Sequence, residues 1–92
     1  MIFAISHQAD PAQATAAHPA AEFVDLYSYI EHKIGMSVAG IVADSPERFR
    51  VIEEEALRDL VVMSEICGRD TIIRLGPDTL SNPECARLAN GL

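Results

Sequence analysis

The side chains in this sequence best suited to chemistry are Cys67 and Cys85, His7, His18 and His32, and the triplet Glu53-Glu54-Glu55. A thiol acts as a nucleophile through its thiolate, which a helix amino terminus favours and a carboxyl terminus opposes. Cys67 falls at the end of one predicted helix and Cys85 in the first turn of another. Cys85 is thus the better nucleophile candidate, yet no histidine stands near it in sequence to act as base. Both are read first as small core residues, unpaired in a reducing compartment. The histidines sit in three separate local settings, and no CxxC, HxxxH, HExxH or Glu-x-x-His spacing occurs. Converging metal ligands need such spacings, so neither a metal nor a cofactor is expected. His32, in the last turn of a predicted helix, is explained by the helix dipole. Consecutive residues of a helix point about 100° apart, so the glutamate triplet reads as a solvated face or a docking surface for a basic partner. No catalytic residue is assigned.

Phosphate chemistry calls for glycines clustered before a helix. The five glycines stand at 35, 40, 68, 76 and 91 and make neither GxGxxG nor a Walker pattern, which excludes nucleotide chemistry by those routes. The segment Leu75-Gly76-Pro77-Asp78-Thr79-Leu80 resembles the Asp-Ser-Leu attachment site of acyl carrier proteins. Thr79 stands where the attachment serine must be and only one short helix follows, so the resemblance is set aside. Ninety-two residues also leave little room for both a core and a substrate pocket of several hundred Å³.

The elements that would position these groups are mostly helical. Over 20–34 the stripe Phe23, Tyr27, Ile30 and Ile34 keeps helical spacing, with Glu22 and Asp25 early, His32 and Lys33 late, and Gly35 as a stop. Ser45-Pro46 opens a longer helix over 46–67, closed by Gly68. Within it Glu54 and Arg58 are spaced as an i,i+4 pair. Asn82-Pro83 opens a short helix over 83–89 that stops at Asn90-Gly91. Residues 2–6 and 71–75 have strand character and form a possible minor two-stranded pairing. Residues 8–19 read as an Ala-rich linker or weakly helical arm, although Asp10-Pro11 resembles a capped helix start. The spacing in 36–44 fits a connector, a short helix or a strand equally. The expected fold is a single, mainly α domain over 1–92.

Fourteen acids against seven bases give a formal charge of −7, a field that repels nucleic acid and anionic membranes. The apolar stretch over 36–43 is far short of the roughly 20 residues a membrane helix needs, and residues 1–6 lack the cationic start of a signal peptide. A cytoplasmic address follows, and thirteen Ala with six Arg against one Lys suggests a bacterial source. After Ala56 the long helix is apolar around more of its surface than one neighbour covers. This predicts a homodimer meeting through Leu57, Val61, Val62 and Ile66, the commonest oligomer symmetry. The expected function is accordingly non-enzymatic: a regulator, adaptor or assembly component acting by protein–protein contact. Two alternatives are a small enzyme subunit or catalyst using Cys85 or a carboxylate, and a chaperone or antitoxin-like inhibitor masking a basic or apolar partner.

Overall fold

Three strands of four residues each, β1 (Ile2–Ile5), β2 (Glu22–Asp25) and β3 (Thr71–Arg74), form a parallel sheet with β3 in the middle. The computed structural model describes residues 1–90. Phe3 and Phe23 both register on Ile72, and Ala4 and Val24 on Ile73. Parallel neighbours require crossover connections. The first is α1 (Pro11–Ala17); the second comprises α2 (Leu26–Ile34), α3 (Val38–Asp44) and α4 (Pro46–Cys67). After β3 a single 3-10 turn (Thr79–Ser81) leads into α5 (Pro83–Asn90). The expected stop of this last helix at Gly91 lies outside the described residues.

The mainly helical domain with a minor two-stranded pairing is therefore corrected to an α/β arrangement. The segment misread is 22–25. Phe23 continues the helical spacing of Tyr27, Ile30 and Ile34, but it is a strand residue. The Asp25 backbone is extended (φ −88, ψ 121) and its carboxylate accepts the Ser28 N–H at 3.0 Å. Helix α2 thus starts after Asp25, not at residue 20. A short apolar run does not by itself distinguish strand from helix; pairing with β3 decides it.

Successive strand residues face opposite sides. Ile72 and Ile73 are both fully buried, so both faces of the central strand are covered, as in parallel sheets generally. Ile73 packs with Leu26 and Ile30 of α2, Leu57 and Leu60 of α4, and Cys85 of α5 in the main core. On the other face, Phe3 stacks on His18 just beyond α1, ring centroids 3.8 Å apart.

The sheet takes up part of the apolar surface of α4, while Val51, Val62, Met63 and Ile66 stay exposed. Leu57 is fully buried inside its own chain, a gain of about 1.5–3 kcal/mol for such a side chain. Arg58 reaches across to Glu84 on α5 at 3.2 Å rather than pairing with Glu54. Lys33 ties α2 to α4 through Asp59 at 2.6 Å. The Ala-rich segment contains α1, capped by Asp10 and started by Pro11, with no buried residue. Ser37 caps α3, its hydroxyl accepting the Gly40 N–H at 3.1 Å. Among the described residues no helix is long and apolar enough to cross a membrane.

Candidate functional site

Beyond the carboxyl ends of β2 and β3 lies a cleft of about 300 Å³. In open parallel sheets that is where ligands bind. Tyr27, in the first turn of α2, enters directly after β2. Phe49, Arg50 and Glu53 come from α4, and Asp78 and Asn82 from the segment after β3. Val38 and Val42 of α3 supply an apolar wall.

One wall is held by a buried carboxylate. Glu53 is 2% exposed; its Oε2 accepts the Thr79 hydroxyl at 3.0 Å and its Oε1 accepts from Asn82 Nδ2 at 3.4 Å. Asn82 Nδ2 also donates to the Arg50 carbonyl at 3.2 Å, and its Oδ1 accepts the Glu84 N–H at 3.2 Å, capping α5. Thr79 Oγ1 in turn accepts the Gly76 N–H at 2.9 Å. This chain of bonds fastens α4 to the segment that follows β3. Burial raises the Glu53 carboxyl above its ordinary value, against the opposing hydrogen bonds from Thr79, Asn82 and Tyr27.

Tyr27 shares that environment. Burial, then the nearby Glu53 charge, pushes its phenol up to about 12, so at neutral pH it is a protonated donor. Its ring meets Phe49 edge-on at 5.5 Å. Gly76 permits this placement: a Cβ there would sit 2.1 Å from Tyr27 Cε1. Arg50 is exposed at the cleft, and among the described residues no carboxylate lies within ion-pair distance of it. A guanidinium with no carboxylate partner among the described residues, the exposed Asp78 carboxylate and an apolar wall together suit a small molecule bearing a carboxylate and hydroxyls.

A second cleft, of about 330 Å³, lies at the amino ends of β2 and β3 among Glu22, Met63, Ser64, Cys67, Arg69 and Thr71. It is slightly larger but stands at the wrong end of the sheet for the ligand rule of parallel folds.

The residues singled out from the sequence fall elsewhere. Leu57 is in the core, Val61 half-buried, and Val62 and Ile66 exposed at 44% and 79%; none of them lines the first cleft. Cys85 is fully buried, and burial followed by the charges of Glu53, Glu54 and Glu84 pushes its thiol up to about 12, the opposite of an activated nucleophile. Cys67 is exposed. Among the described residues no three potential metal ligands cluster. Glu53, assigned to a solvated face, is instead buried, and the room for a pocket thought lacking exists. Sequence spacing places Tyr27 only in an apolar stripe, and Arg50 carries no sequence signal of its own. The available signal was Gly76-Pro77-Asp78, a turn directly after an apolar strand.

The turn between β1 and α1 has its own geometry. Asp10 Oδ1 accepts the Ala12 N–H at 3.0 Å, Ser6 Oγ accepts the Gln8 N–H at 3.2 Å, and the Ala9 N–H donates to the Ser6 carbonyl at 3.0 Å. The His7 carbonyl faces Arg74, which donates to it from Nε at 3.2 Å and from Nη2 at 2.5 Å. Arg74 Nη1 lies 3.5 Å from Asp25 Oδ2.

Sheet and cleft together define an α/β protein with its ligand crevice beyond the strand ends, opened by a strand–turn–helix placed as in P-loop proteins. The family model for shikimate kinase matches residues 12–91, and the chain belongs to the shikimate kinase family. It is 39% identical over 67 residues to a shikimate kinase of Chlorobium limicola, covering 72% of this chain and 31% of that protein. A shikimate kinase of Thermus thermophilus is 37% identical over 71 residues, covering 75% of this chain and 35% of that protein. The chain thus spans about a third of the length of these curated relatives. Membership in a family named for a kinase overturns the expected non-enzymatic regulator, adaptor or assembly component. A kinase implies a nucleotide donor, and the β1–α1 turn does not fit one: it lacks the glycines and the lysine of a phosphate loop.

Proposed function

We propose that this chain forms the acceptor-binding part of a phosphotransferase acting on shikimate, the substrate named for its relatives. Shikimate is a small ring acid with several hydroxyls, and the cleft offers a complementary group for each kind of atom. Arg50 binds the carboxylate in a charge-assisted pair. The Asp78 carboxylate accepts from a hydroxyl, and the Tyr27 ring, its phenol turned to Glu53, flanks the ligand. The Glu53–Thr79–Asn82 network holds the wall, so that these groups are in place before the ligand arrives. The observation that carries the reading is the Arg50 guanidinium, which lines the cleft and has no carboxylate within ion-pair distance among the described residues.

Calorimetric titration of the chain with shikimate tests it. Saturable binding is expected, weakened roughly 10–100-fold in Arg50→Ala, the loss of a hydrogen bond to a charged group. Binding unaffected by that change, or no binding at all, rejects it. The free thiols of Cys67 and Cys85 support a reducing, cytoplasmic setting. The exposed Val62 and Ile66 support a second copy of the chain as protein partner.

A further inference from the structure

We infer that the β1–α1 turn of this chain does not hold nucleotide phosphates, because it has neither glycine nor lysine, its own Asp10 carboxylate caps the helix, and three of its backbone donors are already engaged. A phosphate loop works by three means: glycines that let consecutive N–H groups turn inward, a lysine that reaches the phosphates, and free N–H groups at the start of the helix. None survives here. No glycine precedes Gly35 and no lysine or arginine precedes Lys33. The Gln8, Ala9 and Ala12 N–H groups donate to Ser6 Oγ, the Ser6 carbonyl and Asp10 Oδ1, and Pro11 has no N–H to offer.

The charge arrangement points the same way. The Asp10 carboxylate sits where a phosphate would approach, and like charges repel. Arg74, the cation that reaches this turn, is engaged by the His7 carbonyl and Asp25, so it draws a carbonyl oxygen into the turn. The turn is closed by the chain's own acceptors. The inference rests on family membership and on the turn alone, independent of what the cleft binds.

Amide NMR spectra of the full chain, titrated with magnesium-ADP and separately with pyrophosphate, test it. The amides of residues 6–14 are expected to stay in place as each ligand is raised into the millimolar range. Saturable shifts at Gln8, Ala9 and Ala12 with a midpoint below roughly 1 mM would overturn the inference. The same sample titrated with shikimate separates the two readings. A silent turn with shifts at Tyr27 supports both, whereas a silent turn with a silent cleft leaves this inference standing and removes the acceptor reading.

Discussion

The Thr79 hydroxyl donates to Glu53 Oε2 at 3.0 Å across 26 positions of sequence, with both side chains buried. The bond joins the middle of α4 to the turn after β3, and the same hydroxyl oxygen accepts the Gly76 N–H. Thr79→Val removes both roles at once. Leaving buried polar groups unpaired costs about 1–3 kcal/mol. Urea denaturation is expected to show a loss of that size, with Thr79→Ser retaining most of the parent's stability. A Thr79→Val chain within about 0.5 kcal/mol of the parent would show that the network contributes little.

Glu53 makes a pH prediction of definite sign. Burial raises its carboxyl above the ordinary value of 4.5, so above 4.5 the folded chain retains a proton that the unfolded chain has released. Stability from this group is full below 4.5 and is lost as pH climbs through the raised value. Glu53→Gln abolishes that titration and leaves Glu84, shifted the opposite way by Arg87, common to both chains. The melting temperature of the parent should gain on that of Glu53→Gln as pH falls from neutral towards 4.5. Parallel pH profiles for the two chains contradict the assignment.

Gly76→Ala tests the packing of Tyr27. The added methyl would overlap the ring, 2.1 Å from Cε1, so Tyr27 or the turn must move. Overpacking of this kind costs about 1–3 kcal/mol. Shikimate affinity is expected to fall at least roughly tenfold, with the far-ultraviolet circular dichroism unchanged. Unaltered affinity would mean that Tyr27 does not shape the cleft.

The two ends of the expected interface should behave oppositely. Leu57→Ala, at a fully buried position, is expected to cost about 2–5 kcal/mol. Val62→Glu, at a position 44% exposed, should change monomer stability by less than about 0.5 kcal/mol. If a second copy binds there, Val62→Glu lowers the sedimenting mass at micromolar concentration. A parent chain that sediments as a monomer removes the second copy.

What the sequence made legible was local. The start and stop of α4 are written in Ser45-Pro46 and Gly68, where side-chain capping and left-handed backbone need only neighbouring residues. The strand β2 was not legible, because Phe23 and Val24 satisfy a helical stripe as well as a strand. Only their register against Ile72 and Ile73, some fifty positions away, separates the two. The burial of Glu53 escaped for the same reason. Three adjacent glutamates look alike until Thr79 and Asn82 arrive from beyond β3 to satisfy one of them. The family went unseen because Ser6–Asp10 carries none of the glycines by which a phosphate-binding turn is recognised.

The most direct test of the account is an amide map of shikimate binding on the full chain. Saturable shifts sharing one midpoint are expected at Tyr27, Gly76, Asp78 and Asn82, around the cleft at the strand carboxyl ends. Shifts confined to Glu22, Ser64 and Arg69, at the opposite end of the sheet, or a spectrum that does not move, would contradict it.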